Sequence, residues 1–221
     1  MVPEARRTRD LIFVIGAPGA GKGTLCKMLA EANNVDHLSL GDLLRQTVSS
    51  PNADQLIAGC IHRGELLPTH ILHELLYHRV AQPVSSTGGR PLLLDGFPRR
   101  LDQAREFEAF GPPKLILFFD CPEDLARERV VTRKLGRIGD TVEMFDKRYS
   151  EFRESNPPIL SHYARPEGRL ITIDTSGATE ESYQKLQAAL GSSEKWAALT
   201  SEAPKFPVEW IREMTDDQAH S

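Results

Sequence analysis

The sequence lacks a basic excess, a pairable set of cysteines and a long apolar run. Its net charge at pH 7 is −4, so no global positive field favours nucleic acid, although local arginine clusters can still hold phosphates. No apolar stretch approaches the length of a membrane span. We therefore expect neither nucleic acid nor a membrane as a partner.

The chain has only three cysteines, Cys26, Cys60 and Cys121, and they follow no metal-ligand spacing. An odd number of scattered cysteines predicts reduced thiols in the core, not a disulfide framework. This usage is typical of a cytoplasmic protein, and it leaves the nucleus open as a second compartment.

The two ends of the chain differ from the rest. Residues 1–10 carry charges and a proline but no periodic pattern, and we interpret them as an N-terminal arm. Residues 194–221 contain Trp196, Phe206 and Trp210. The pattern leaves open whether this C-terminal extension packs on the core or forms a tail.

One stretch near the N-terminus carries the strongest signal. The apolar run Leu11–Ile15 suits a strand buried on both faces of a parallel sheet, and it leads into the loop GAPGAGKGT at 16–24. Glycine N–H groups and a helix N-terminus form an anion site, to which Lys22 adds a mobile charge. The spacing is the Walker A form, except that Gly23 stands where Ser or Thr is usual and Thr24 follows. A glycine turn with an incidental lysine is the alternative, but the strand before and the helix after favour a nucleoside triphosphate site.

Strands and helices alternate after this loop. The alternation predicts an α/β fold with three layers, α/β/α, around a five-stranded parallel sheet. Further strands are predicted near His37 and at 91–95, 114–120 and 169–174, and helices at about 53–63, 69–80, 122–134, 142–156, 158–163 and 179–190.

An inserted lobe is predicted at about 39–83, because three short helices are more than a simple crossover needs. Such a lobe could cover a substrate. His70 and His73 lie three residues apart on its last helix. Without a third ligand we interpret them as part of a solvated face.

An acidic residue ends the strand at 91–95. Asp95 after a phosphate-binding loop is the Walker B arrangement, whose carboxylate orients Mg²⁺ or a magnesium-bound water. Gly96 and Arg99 follow it, at the edge where open α/β sheets bind ligands.

Six arginines form a second signature, because several of them lie beside glycine loops or strand ends. Any one alone could be a surface charge that contributes little. Phosphoryl transfer, however, needs planar and permanently charged donors around dispersed negative charge. The six are Arg45, Arg99, Arg129, Arg133, Arg137 and Arg148.

These motifs resemble the nucleoside monophosphate kinases of the adenylate kinase family. Four blocks match in order: the loop 16–24, residues 38–45, residues 95–99 and the arginine series through Arg148. The resemblance runs from about 11 to 190 and implies a kinase domain at 11–193. Within the family, FFDCPED at 118–124 and RLDQA at 100–104 are most similar to fungal-type UMP/CMP kinases.

The resemblance implies a role at each matching position. ATP would contact Gly16, Gly19, Ala20, Gly21, Lys22, Gly23, Thr24, Arg129 and Gly177. The acceptor monophosphate would contact Leu40, Arg45, Leu66, Gly96, Arg99, Gln103, Arg137 and Arg148. Lys22, Arg133, Arg137 and Arg148 would be catalytic, and Asp95 would hold Mg²⁺ through water.

The resemblance also implies a short lid at about 134–141, without the cysteine-bearing insert of long-lid relatives and therefore without structural zinc. Short-lid relatives are monomers, so a monomer is expected. This sequence departs from the family at Gly139, where an aspartate is usual, and in a lid about two residues shorter between Arg133 and Arg137.

The acceptor base stays open in the sequence. Leu40 stands where adenylate kinases tend to have Thr and UMP/CMP kinases Ala, and the amide of Gln103 suits a purine or a pyrimidine. Transfer to UMP or CMP is the leading hypothesis, and adenylate kinase activity on AMP is the close alternative. A nucleotide-binding module with weakened catalysis is a further alternative, favoured by Gly139 and the shortened lid.

Overall fold

A parallel sheet of five strands forms the middle layer of the fold. The computed structural model describes residues 9–50, 54–80, 89–133, 140–164 and 169–201, with positions 78 and 110 lacking described side chains. The strands are Leu11–Gly16 (β1), Asp36–Ser39 (β2), Leu92–Asp95 (β3), Leu115–Asp120 (β4) and Leu170–Asp174 (β5). Their order is β2-β3-β1-β4-β5, with every neighbouring pair parallel. The predicted α/β class and its five strands are confirmed.

Both faces of the sheet are covered. Successive residues of β1 point to opposite faces, so Ile12 and Val14 join one core cluster while Leu11, Phe13 and Ile15 join the other. Each of these side chains is at most 3% exposed. This burial on two sides explains why the strand is apolar throughout and does not alternate with polar residues.

Helices form the two outer layers. Those described are Lys22–Ala32 (α1), Leu40–Ser49 (α2), Gln55–Arg63 (α3), Thr69–Val80 (α4), Leu101–Phe107 (α5), Glu123–Val131 (α6), Val142–Tyr163 (α7), Thr179–Gly191 (α8) and Glu194–Thr200 (α9), with a 3₁₀ turn at Glu108–Phe110. Helices α2, α3 and α4 lie between β2 and β3, as predicted for the inserted lobe. Among the residues described, no helix is both long and apolar enough to cross a bilayer.

The predicted break at Pro157-Pro158 is wrong, because α7 continues through both prolines to Tyr163. Each proline removes one helical N–H donor. Both proline rings are exposed, and so are Arg153 and Glu154, whose carbonyls lose their partners and can turn to water. On the opposite side of the helix, Ile159 is 1% exposed in the core, and this packing holds the last turns in place.

Helix α6 is shorter than predicted. It begins at Glu123 and ends at Val131, so Arg133 follows the helix, although the predicted range 122–134 included it. Helix α3 also starts later than predicted, at Gln55, because the side chain of Asp54 accepts hydrogen bonds from the N–H groups of Leu56 and Ile57 and so caps the helix there.

The first and the last described segments of the chain both contact the core. The guanidinium of Arg9 is buried, contacts Asp36 and donates to the carbonyl of Arg90 at 3.0 and 3.1 Å. At the other end, Trp196 of α9 is 7% exposed and belongs to the same core cluster as Leu186 and Leu190 of α8. The described start of the C-terminal extension therefore packs on the core.

The order of the strands fixes where a ligand can bind. β1 and β4 are neighbours, and the connection after β1 leads to β2 on one side while the connection after β4 leads to β5 on the other. A crevice therefore opens at the carboxyl ends of β1 and β4. The loop 16–21 follows β1 at this point, and Asp95 ends the neighbouring β3.

Replacing Trp196 by alanine tests whether the extension stabilises the domain. Because Trp196 is 7% exposed, we expect Trp196→Ala to lower the free energy of unfolding by about 3 kcal/mol, measured by urea denaturation. Leu56→Ala is the control, since Leu56 is 48% exposed and should change stability by less than about 0.5 kcal/mol. Equal stability of the two variants would contradict the packing.

Candidate active site

The loop between β1 and α1 is shaped by close backbone packing. Gly19 has φ of 86°, and a Cβ there would lie 2.1 Å from the carbonyl oxygen of Ala126. Only glycine satisfies both constraints. Lys22 opens α1, and its Nζ donates to the carbonyls of Gly16 and Ala17 at 2.8 Å each. The lysine is thus folded back over the loop, with its ammonium group bonded to the loop carbonyls.

Positive side chains from four parts of the chain converge on this loop. A cavity of about 670 Å³ lies at the carboxyl end of the sheet. Its walls include the loop glycines Gly19, Gly21 and Gly23, together with Thr24. Besides Lys27 at its rim, which the sequence did not single out, it is lined by the cations Lys22, Arg45, Arg99, Arg133 and Arg148. The sequence predicted each of these five as a site residue, and the structure brings them together.

The electrostatics of this cluster favour a bound anion. Burial lowers the pKa of Lys22 to about 8, although Asp95 works in the opposite direction. Burial also lowers the pKa of Arg148 to about 10, and the neighbouring Arg99 and Arg45 add to the shift. Burial is also the main cause that lowers the pKa of Arg99. Like charges brought into one partly dry cavity are relieved by polyanionic ligands such as phosphates.

Asp95 is the acid at the centre of this cluster. It is 4% exposed and pairs in register with Val14 of β1 and Ser39 of β2. A Cβ on Gly23 would lie 3.6 Å from its Oδ2, so the carboxylate faces the phosphate loop. Sequence reasoning missed His37, whose Nε2 lies 3.5 Å from the same oxygen. His37 lies on β2 and Asp95 on the neighbouring β3. Only the strand order shows that these two residues are close.

A magnesium ion fits this corner on chemical grounds. Among the residues described, no three His, Cys, Asp or Glu side chains form a metal cluster. Mg²⁺ does not require one, because it keeps several waters and is bound through one or two carboxylates plus the substrate phosphates. A single buried carboxylate beside the loop is such a site.

The guanidinium groups of two arginines are oriented by contacts with residues close in sequence. The Nε of Arg99 donates to the carbonyl of Gly96 at 3.0 Å, and its backbone N donates to Oε1 of Gln103 at 2.9 Å. Arg45 contacts the carboxylate of Asp42 one turn earlier on α2. Each guanidinium is therefore partly oriented before any ligand arrives.

Arg129 lies in a separate part of the crevice. It donates to the carbonyl of Thr175 at 2.8 Å and also to the carbonyl of Gly177. With the loop residues Gly19, Ala20, Gly21 and Thr24 it lines a cavity of about 230 Å³. Three further lining residues, missed in the sequence, are Thr175, Thr179 and Ser182. They could have been found in the sequence because they follow the carboxyl end of a predicted strand, and ligands bind at that edge of parallel sheets.

The predicted acceptor-base residues are buried more deeply than the arginines. Leu40 is 1% exposed and packs in the core, and Gln103 is 0% exposed. The Nε2 of Gln103 is a buried donor without a hydrogen-bond partner among the described groups. Leu66 lines a smaller cavity of about 80 Å³, together with Gly96, Arg99 and Arg148.

The interpretation of His73 as part of a solvated face is wrong. His70 is exposed, but His73 is 8% exposed, and its Nε2 lies 3.2 Å from the carbonyl of Gln103. Its ring packs against Phe107 with centroids 5.5 Å apart. It thereby supports the helix that carries Gln103.

Part of the predicted lid lies outside the described residues, and this part includes Lys134, Arg137 and Gly139. At the end of the lid, Asp140 lies 3.8 Å from Arg133. Thr141 then caps α7, because its side chain accepts from the N–H of Met144.

Comparison with known proteins identifies the family. The family model described as "Adenylate kinase" matches residues 14–167. The chain belongs to the adenylate kinase family.

Individual relatives agree with this membership. The chain is 37% identical to a uridylate kinase of Saccharomyces cerevisiae, over 83% of this chain and 92% of the relative. It is 36% identical to a UMP-CMP kinase of Lentinula edodes, over 81% and 85% of the two chains. It is also 37% identical to adenylate kinase 1 of Schistosoma mansoni, over 81% and 92%. This member of the adenylate kinase family is a phosphotransferase.

The lowered pKa of Lys22 predicts how ATP affinity depends on pH. With a pKa of about 8 in the free protein, Lys22 is charged below that pH, and bound phosphate will raise its pKa. We expect ATP affinity to be flat up to about pH 7.5, then to fall toward about pH 9 as binding takes up a proton.

Calorimetric titration in two buffers of different ionisation enthalpy measures both the affinity and the proton uptake. The phosphate itself has its last ionisation near about pH 6 and does not contribute in this range. An affinity that is constant from about pH 7 to about pH 9 would argue against this state of Lys22.

Proposed function

We propose that this kinase transfers the γ-phosphoryl group of ATP reversibly to UMP or CMP. One observation carries the proposal: Lys22 and four arginines line a single cavity that also contains the phosphate loop and Asp95. Relatives named uridylate kinase and UMP-CMP kinase support the pyrimidine acceptor.

ATP binds on the β4–β5 side of the crevice. The loop N–H groups and Lys22 take the β- and γ-phosphates, since Nζ can leave the carbonyls of Gly16 and Ala17 for a stronger anionic partner. The adenosine lies in the cavity lined by Arg129, Thr175 and Ser182, where a guanidinium can stack on the base.

The acceptor monophosphate binds on the β3 side. Arg45 comes from the inserted lobe at 39–83 and Arg99 from the end of β3, and both line the central cavity. Planar guanidinium groups suit the phosphate geometrically. Gly96, Leu66 and Gln103 lie on this side, and Leu40 limits the room for the base.

Asp95 would hold Mg²⁺, directly or through water, and the metal would supply positive charge to the phosphates during transfer. The protein's part is to hold that carboxylate in place through the register of β3 with β1 and β2.

The transfer itself needs no covalent intermediate on the protein. An oxygen of the acceptor phosphate attacks the γ-phosphorus in line, that bond forms as the bond to the β–γ bridging oxygen breaks, and ADP leaves with the electron pair. Arg133, Arg137 and Arg148 neutralise the charge spread over the transferring group. Closing of the acceptor lobe and of the lid at 134–141 excludes water, which would otherwise take the phosphoryl group.

We further propose that the kinase acts as a monomer in the cytoplasm, with the nucleus as a second compartment. The three free and buried thiols, Cys26, Cys60 and Cys121, suit a reducing compartment.

Initial rates with UMP, CMP, dCMP and AMP test the acceptor. We expect the highest kcat/KM with UMP or CMP, measured by coupling ADP formation to NADH oxidation. AMP as the best acceptor would replace the proposal by adenylate kinase activity, which the Schistosoma mansoni relative favours. ATP binding without transfer to any of the four would select the nucleotide-binding module.

Loss of a catalytic arginine should lower turnover severely. We expect Arg148→Ala and Arg137→Ala each to reduce kcat on the order of 10³-fold, by analogy with arginines at other phosphoryl-transfer centres. Arg127→Ala is the control, since Arg127 is exposed and paired with Asp146 at 3.1 Å. Turnover of all three variants close to that of the wild type would remove the catalytic role.

A further inference from the structure

The C-terminus of α3 makes a contact that neither the phosphate loop nor the arginine cluster explains. Helix α3 belongs to the acceptor lobe and ends at Arg63, with Gly64 in the left-handed conformation at φ of 67°. The N–H of Glu65 donates to the carbonyl of Cys60 at 2.8 Å, and the N–H of Gly64 donates to the carbonyl of Ile61 at 3.1 Å. This Schellman-type ending satisfies carbonyls of the last turn but not that of Arg63.

A lysine from α7 donates to the carbonyl of Arg63. The Nζ of Lys147 donates to the carbonyl of Arg63 at 2.7 Å and lies 3.4 Å from Oε1 of Glu65. A cation at a helix C-terminus is favoured by the helix dipole as well as by the hydrogen bond. Glu65 also accepts from Nε of Arg63 at 2.8 Å, and these two cations lower its pKa. The carboxylate is therefore charged and available to Lys147 at neutral pH.

The backbone of Gly64 also packs directly against side chains of α7. A Cβ on Gly64 would lie 2.1 Å from Sδ of Met144 and 3.6 Å from Cγ of Arg148. The lobe and α7 are thus in direct contact beside the active site.

This contact joins the acceptor lobe to the helix that carries Arg148. Lys147 precedes Arg148, which lines the cation cavity, and Glu65 precedes Leu66, which lines the neighbouring cavity. A shift of the α3–α4 loop away from α7 would separate the acceptor lobe from Arg148.

We propose that Lys147 is a positioning residue, which holds the acceptor lobe against α7 by capping α3 and pairing with Glu65. Its loss favours the open lobe and weakens acceptor binding without touching ATP. The inference rests on the proposed acceptor site, in which residues 39–83 cover the monophosphate.

Kinetics of Lys147→Ala test the proposal on the full chain. We expect the acceptor KM to rise roughly twofold to tenfold, as for one helix-terminal cation with one partly exposed ion pair, while the ATP KM and kcat stay within about twofold. Lys147→Arg retains a cation with several donors and should stay close to the wild type. Lys147→Glu places a carboxylate against both Glu65 and a carbonyl, and should raise the acceptor KM further than Lys147→Ala does.

Asp146→Ala is the matched control. Asp146 is the adjacent residue of α7, and its pair with Arg127 is similarly exposed but reaches α6 and not the lobe. This variant should leave the acceptor KM unchanged. Hydrogen exchange of residues 54–65 provides a second readout, which should be faster in Lys147→Ala than in Asp146→Ala.

An acceptor KM of Lys147→Ala equal to that of the wild type overturns the inference. So does an equal rise in the KM of both substrates, or an equal effect of Asp146→Ala. Arg45→Ala separates this failure from that of the proposed acceptor site. If Arg45→Ala raises the acceptor KM and Lys147→Ala does not, only the positioning role is lost. If neither variant changes it, the acceptor site itself has been misplaced.

Discussion

The candidate active site holds more positive than negative side chains in one cavity. The rest of the structure depends on keeping these like charges together. Lys22, Arg99 and Arg148 are buried close to Asp95, and burial lowers the pKa of each of these cations. Such a cluster costs stability in the absence of a ligand, since every charge loses solvation and repels its neighbours. It is relieved when phosphates enter. In the proposed mechanism, the same charge that destabilises the free protein supplies binding and transition-state stabilisation once two nucleotides are present.

The sheet determines how this charge can be assembled. Because β1 lies between β3 and β4, the loop that follows it faces the carboxyl ends of both neighbours, and elements from either half of the chain reach the same crevice. Gly19 allows the loop to approach the carbonyl of Ala126 on α6. The phosphate loop is thus held by the same helix that carries Arg129, and a substitution at Gly19 would disturb ATP binding through the fold itself.

The sequence predicted those features that local pattern determines, and it failed where tertiary packing decides. Apolar runs marked the buried strands, and the strand–glycine–lysine–helix pattern marked the phosphate loop, because each follows from backbone geometry. The break predicted at Pro157-Pro158 was wrong, because these two residues lie on the exposed side of α7 while Ile159 holds the helix in the core. The contacts of His37 with Asp95 and of Lys147 with Glu65 join residues distant in sequence, and no periodicity encodes them.

The arginines reach the cavity from different elements of the chain, so the proposed closure has to bring these elements together around the phosphates. Arg99 is fixed to the end of β3, Arg45 belongs to the acceptor lobe, and Arg148 to α7. Without phosphate, mutual repulsion favours separation of these parts; with phosphate, attraction favours closure. A contact such as that of Lys147 with the end of α3 lies outside the cavity and does not depend on the ligand, so it sets the starting point of this equilibrium. An excessively strong contact would slow release of the diphosphate product, and an excessively weak one would raise the acceptor concentration needed for closure. An ion pair of a partly exposed lysine contributes little free energy. Such a weak contact suits a lobe that must open in every turnover.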